Sequence, residues 1–257
     1  MTDLPKIASA FLDIFESHRL DSPDEPIDSL SIEEAYGVQR LVIDARISKG
    51  ERLAGYKVGC TSDAIRRQFG LTEPICACVM EPHVHHGNGQ LNWADFCQLA
   101  VEPEFVFTIG KDLRDEVAED EPMEHVIDFV SPGIEIHNYR FWFGKPTIQE
   151  LIASNGIHAA LVIGEQKVKP QDFDWEMEGV GLFLNGRLAA SGIGAEIMGG
   201  TMNSLRWLVN HLVRRGDTLK AGQVVIPGSP VELVSVGRGD TVAARFTHAG
   251  TVETHFA

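Results

Sequence analysis

The chain has 257 residues, 44% of them hydrophobic, and a formal net charge of −15. That length suits one large domain, or a main domain with a helical extension, around a sizeable core. The acid excess speaks against nucleic acid, which needs clustered Lys and Arg; no run approaches the ~18 apolar residues of a membrane span, and no secretory-type pattern opens the chain, so a soluble cytoplasmic protein is expected.

Near the start, "PKIASAFLDIFESHRL" carries apolar residues at helical spacing. "DSPDEPIDSL" is a proline- and acid-rich connector. "SIEEAYGVQRLVIDARISKG" predicts a second helix, opened by a Ser31-x-x-Glu34 capping box and closed at Gly50. "AGYKVGCTS" predicts a strand on which Lys57 shares a face with Gly55 and Gly59. Either the lysine guards an exposed sheet edge, or the glycines clear space for a ligand that it touches. "SDAIRRQFG" is a short helix ending on glycine. The four cysteines, Cys60, Cys76, Cys78 and Cys97, are too few for a disulfide scaffold. "ICACVMEPHVHHG" holds zinc-ligand residue types, with His83, His85 and His86, but not the spacing of structural zinc sites. Buried apolar cysteines and a solvated histidine turn are the better reading.

"AVEPEFVFTIG" predicts a strand with Glu102 and Glu104 on one face and Val101, Pro103, Phe105 and Phe107 on the other. On a sheet with one wet face such a pair needs no special role. "RDEVAEDEPMEH" reads as an exposed loop or short helix. In the strand "SPGIEIHNYRF", Glu135 lies between Ile134 and Ile136 and again faces away from an apolar side. Three carboxylates brought together on neighbouring strands repel unless a cation or protons neutralise them. An all-oxygen set suits a hard ion, Mg²⁺ or Mn²⁺.

"HAALVIGE" predicts a buried strand, and "GVGLFLNGRLAASG" a hairpin with Asn185-Gly186 at its tip. "SGIGAEIMGG" follows that hairpin rather than the first strand of a βαβ unit, so its glycines are not read as a phosphate loop. "MNSLRWLVNHLVRRG" is a late helix with a glycine stop. The tail, 223–256, alternates strands with turns at "PGSP", "GRGD" and "THAGT". Helices first, then mostly strands, predicts an α+β fold. We expect an N-terminal helical region, 1–50, and a β-rich catalytic domain, 51–257, as one continuous structural unit.

In order, "GYKVGCTS", "VEPEFVF", "GIEIHNYR", the asparagine of "IASNGIHAALVIG", the Asn-Gly hairpin, "SLRWLVNHLVRRGDTLKAGQVVIPGS" and "GDTVAARFTHAGTVETHF" resemble the 2-keto-4-pentenoate hydratase / 4-oxalocrotonate decarboxylase family of the fumarylacetoacetate hydrolase superfamily. The resemblance runs from about residue 32 to the end. It implies a mixed β-roll of the fumarylacetoacetate hydrolase C-terminal-domain type with an N-terminal helical region. It also implies a homo-oligomer, associated in some members with other enzymes of the same catabolic pathway. Glu102 and Glu104 match the family's Glu-x-Glu metal motif, Glu135 the third ligand and Lys57 the lysine beside the substrate, with Mg²⁺ or Mn²⁺ as the ion. The implied substrate is a short unsaturated 2-hydroxy or 2-oxo carboxylate, and the implied reaction is its hydration. Decarboxylation, acylpyruvate-type C–C hydrolysis and a non-catalytic subunit are the rivals.

In that frame Lys57 moves a proton, its pKa lowered by desolvation and a nearby cation. His137, on the same strand face as Glu135, is a second proton carrier, part of the substrate pocket or a hydrogen-bonded structural histidine. Asn155 and Ser229 are candidates for hydrogen bonds in the pocket, or plain turn residues. The chain departs from the family pattern with Asn138 and Ser154 where aspartates are common, and with Ala77 in a turn that usually contains glycine.

Overall fold

The computed structural model describes residues 2–17, 27–138 and 146–257. Helix α1 (Leu4–Ser17) buries Ile7, Ala8, Phe11 and Ile14, a stripe at three- and four-residue spacing. Helix α2 (Ile32–Ser48) begins at the expected capping box: Ser31 Oγ accepts the Glu34 N–H, and the Glu34 carboxylate accepts the Ser31 N–H. The connector expected between these helices lies outside the described residues up to residue 26, as does the end of the strand expected through "NYRF", from residue 139.

Past Gly50 come β1 (Leu53–Gly59), α3 (Asp63–Phe69), β2 (Ile75–Met80), β3 (Val84–His86), β4 (Gly89–Leu91), β5 (Ala100–Ile109), β6 (Ile127–His137), α4 (Ile148–Ala153) and β7 (His158–Ile163). They are followed by β8 (Gly179–Leu184), β9 (Arg187–Ile193), α5 (Thr201–Arg214), β10 (Val224–Ile226), β11 (Val234–Ser235), β12 (Thr241–Phe246) and β13 (Thr251–Phe256). One sheet has the order β2-β1-β10-β5-β6-β7-β3, with β11 also on β5; a second has the order β4-β13-β12-β8-β9. Parallel pairs (β1 with β10, β3 with β7, β13 with β4) sit among antiparallel ones, so both sheets are mixed. The fold is α+β, as the order of elements predicts. At the tip of the β8–β9 hairpin Asn185 and Gly186 both have positive φ, the requirement of a type I′ turn.

Two segments differ from expectation. "ICACVM" is a strand, β2, paired with β1 from Leu53↔Met80 to Gly59↔Ile75. With β10 on its other side, β1 is interior, and Lys57 is therefore no edge guard. The histidine segment is not a free turn either, because Val84–His86 pairs in parallel with β7. "RDEVAEDEPMEH" is mostly exposed and pinned by buried Val117 and Met123.

The β5–β6 pair runs from Ala100↔His137 to Ile109↔Ile127 and divides the interior. One face (Val101, Phe105, Phe107, Ile134, Ile136) joins the main core, which includes the helices α1 and α2 and Val180, Leu182, Val242 and Phe246 of the second sheet. Gln39 of α2 donates to the carbonyls of Cys76 and Ile152, tying the helices to β2 and α4. The opposite face carries a small separate apolar cluster of Val79, Val106, Leu161, Ile163 and Ile226. Among the described residues, no helix is long and apolar enough to cross a membrane.

Candidate active site

The charged candidates share the face of that smaller cluster. Glu102 on β5 lies directly opposite Glu135 on β6, and Glu104 lies opposite Gly133. Lys57 pairs with Ile226, the last residue of β10, and its Nζ is 2.8 Å from Glu135 Oε1. His137 closes β6, with Nε2 3.1 Å from Glu102 Oε2 and 3.4 Å from Glu135 Oε2. His158 Nδ1 is 2.7 Å from Glu135 Oε1. That last contact depends on a register shift: Ile136 pairs with Ala160 but His137 pairs with His158, so Ala159 is the extra residue that puts His158 on the polar face. Glu104 Oε2 accepts the Gly228 N–H at 3.1 Å. Lys57, Glu104, Glu135, His137 and His158 are each at most 4% exposed, and Glu102 is half-buried.

Burial sets the protonation states through the partners it leaves. Burial alone would raise the pKa of Glu135, but the charges of His137 and Lys57 hold it well below the usual carboxylate range. For Glu104 burial raises the pKa, and repulsion from Glu135 and Glu102 adds to it; Glu104 sits well above that range. Burial would lower the pKa of Lys57, yet the charge of Glu135, with Glu102 and Glu104 behind it, raises it. The three carboxylates together outweigh desolvation. Lys57 is held as an ammonium group against Glu135. His137 is raised by Glu135 despite its burial, whereas burial keeps the His158 pKa low.

Gly55 does not clear space beside Lys57 as expected. A Cβ on Gly55 would overlap the Val224 carbonyl, so that glycine admits strand β10. The residue that makes room for the lysine is Gly156: at φ +63° it sits where a Cβ would lie 2.7 Å from Lys57 Cε. Its neighbour Asn155 is 1% exposed, with Oδ1 accepting the Cys78 N–H at 2.7 Å and Nδ2 donating to the Cys78 carbonyl at 2.8 Å. Both ends of that amide bond β2, and this holds the adjacent Gly156 against the lysine. Ser229 Oγ accepts the Val231 N–H, the plain turn role, while the adjacent Gly228 is the residue that meets Glu104. At the two positions where aspartate is common, Asn138 Oδ1 accepts the Cys97 N–H and Ser154 Oγ donates to the Leu151 carbonyl.

Sequence reasoning missed His158, Gly156 and Gly228. The bulge hid His158 in an apolar run, and the glycines declare themselves only through long-range neighbours. The cysteines are free and buried or half-buried. Burial pushes the Cys60 thiol up to about 11 and Cys78 up to about 12, which removes both as thiolate nucleophiles.

Among the described residues, one group of metal-ligating side chains converges: Glu102, Glu135 and His137 each offer an atom within 4.8 Å of the others. The donors fit a divalent cation. Two carboxylates and an imidazole meet at one point, donor types that a divalent first-row cation accepts.

Residues 72–257 match the family described as Fumarylacetoacetate (FAA) hydrolase C-terminal. The chain is 27% identical over 227 residues to a 2-keto-4-pentenoate hydratase of Paraburkholderia xenovorans (strain LB400), covering 88% of this chain and 84% of that protein. It is 27% identical over 247 residues to a 2-oxo-hept-4-ene-1,7-dioate hydratase of Escherichia coli, covering 94% and 92%. Its fold matches the solved structure of 4-oxalocrotonate decarboxylase from Pseudomonas putida G7, complexed with magnesium and adipate, with a TM-score of 0.91 at 22% identity, covering 99% of this chain and 97% of that one.

Proposed function

The chain belongs to the fumarylacetoacetate hydrolase C-terminal family, and on that premise we propose that it is a divalent-metal-dependent hydratase, a hydro-lyase acting on a short 2-hydroxydienoate or unsaturated 2-oxo acid to give a 4-hydroxy-2-oxo acid. The observation that carries this reading is a buried, charged lysine ion-paired to Glu135, on the same sheet face as Glu102 and Glu104. The relatives named as hydratases support it.

Glu102 and Glu135, with Glu104 beside them, would hold Mg²⁺ or Mn²⁺. The bound ion supplies Lewis-acid stabilisation of negative charge on the substrate's 2-oxygen. Lys57 Nζ donates the proton that the terminal carbon takes up as the dienol becomes a 2-oxo-3-enoate, and it takes back the proton given up by the 2-hydroxyl; water then adds across C3=C4, its oxygen to C4 and a proton to C3. Glu135 Oε1, shared by Lys57 and His158, orients the ammonium group. Val79, Val106, Leu161, Ile163 and Ile226 line this face with apolar surface, which strengthens each charge–charge contact above it. In this reading the protein works in the cytoplasm as a homo-oligomer, alongside enzymes of the same catabolic pathway.

The test is a panel of five- to seven-carbon 2-hydroxydienoic and 2-oxo acids with products resolved by mass. Gain of one water is the expected result. Loss of CO₂ would make the protein a decarboxylase, cleavage into two acids a hydrolase, and no turnover on any substrate a non-catalytic subunit; each of these contradicts the proposal.

A further inference from the structure

We propose that the cavity behind His158 is a second binding site, separate from the glutamate centre, for a neutral two-ring aromatic molecule that carries one hydroxyl donor. The site goes beyond the hydratase reading and does not depend on it.

The cavity, about 500 Å³, lies between α1 and the β3–β7 edge of the first sheet, within the ~300–1,000 Å³ typical of small-molecule sites. Its lining includes His158 and none of Lys57, Glu102, Glu104, Glu135 and His137. The imidazole of His158 is the partition. Its Nδ1 is 2.7 Å from Glu135 Oε1 on the charged face. The two nitrogens of an imidazole point in nearly opposite directions, so Nε2 is turned away from that face and toward the cavity. His158 is 4% exposed, and Nε2 has no hydrogen-bond partner among the described residues. A carboxylate oxygen only accepts, so Nδ1 carries the hydrogen; Nε2 of the neutral ring is then an acceptor, and its complement is a donor on the occupant.

Charge decides what kind of molecule brings that donor. Arg46 is the lysine- or arginine-type cation among the lining residues, and the Glu51 carboxylate already binds its guanidinium through two nitrogens. Three lining acids, Glu16, Glu51 and Asp95, stand against that one arginine. An anion therefore meets no unpaired cation on this wall, which sets the site apart from one for 2-oxo acids. The rest of the wall is largely apolar, with Leu12, Phe15, Met80, Phe96 and Ala159. Burial of ring carbon against those side chains supplies affinity, and the hydroxyl on Nε2 fixes the orientation. A rigid two-ring molecule gains this at little cost in ordering.

The experiment is a fluorescence titration of the full-length protein, chelator-treated and Mg²⁺-supplemented, with 2-naphthol, its methyl ether 2-methoxynaphthalene, and 2-naphthoate. We expect saturable binding of one 2-naphthol per chain, with the same affinity in both preparations. The methyl ether keeps the rings and loses the donor, and should bind about 3–10-fold more weakly, the range of one net hydrogen bond. 2-Naphthoate should fail to displace 2-naphthol. Leu12→Trp, which fills the cavity from α1, should abolish 2-naphthol binding. In ¹⁵N-histidine NMR spectra of the wild type, the His158 Nε2 resonance should move as 2-naphthol is added. Absence of 2-naphthol binding, equal affinity for the methyl ether, displacement by 2-naphthoate, or binding that persists in folded Leu12→Trp each overturns the proposal. Should Leu12→Trp not fold, the three probes and the Nε2 resonance of the wild type decide.

Discussion

The two faces of the β5–β6 pair use the same strands for opposite ends. On one, Val101, Phe105, Phe107, Ile134 and Ile136 are fully buried against the helices and the second sheet. Each Å² of apolar surface removed from water there contributes about 25 cal/mol. On the other, Glu102, Glu104, Glu135 and His137 sit beside Lys57 and His158, where every buried charge costs free energy unless it is paired. The apolar face holds the strands rigid, and that rigidity lets the polar face keep charges that would not gather unaided. Stability and chemistry are thus separated by a side-chain alternation of one residue.

Substitutions on each face should fail in different ways. Lys57→Ala is expected to have the largest effect, lowering kcat about 10²–10⁴-fold, the usual contribution of a positioned proton donor; steady-state kinetics with circular dichroism as a folding control checks it. Gly156→Ala should act through the same lysine. The added methyl would meet Lys57 Cε at 2.7 Å in a left-handed backbone, and a displacement of that kind is expected to cost about 10–100-fold in kcat. Phe105→Ala, on the apolar face, should lower the unfolding free energy by about 3–5 kcal/mol in a urea titration, while kcat per folded molecule moves less than about tenfold. Comparable loss of activity in Phe105→Ala and Lys57→Ala would break the division between the faces.

The smallest effect concerns pH. Burial, reinforced by the charge of Arg215, holds the pKa of His211 down to about 4, against roughly 6.5 in an unfolded chain. The folded value lies below the unfolded one, so the unfolded state takes up more protons as pH falls. Stability is full above about pH 6.5 and declines toward pH 4. His211→Phe keeps an aromatic ring against Tyr36 and Trp207 and should flatten that decline in Tm. His83, held at about 4 chiefly by burial, continues to contribute in the variant.

What was legible in the sequence was local. The Ser31–Glu34 capping box, the Asn185-Gly186 turn and the alternation that sorts Glu102 and Glu104 from Phe105 and Phe107 each depend on a few adjacent residues. Strand β2 was not legible, because a strand buried on both faces shows no alternation, and Cys-Ala-Cys carries little strand signal. His158 was hidden by one bulge, which moved it to the opposite face from where period-2 counting puts it. Lys57 stood out, but its ion-pair partner did not, since Glu135 lies far along the chain. Asn155 was picked out as a pocket residue, and only the Cys78 backbone reveals that its amide is already engaged.

The most direct measurement follows consumption of a 2-hydroxydienoate by protein stripped with a chelator, before and after metal is returned. The account predicts loss of turnover to background and its recovery with Mn²⁺ or Mg²⁺. Turnover that continues unchanged in the stripped protein would contradict it.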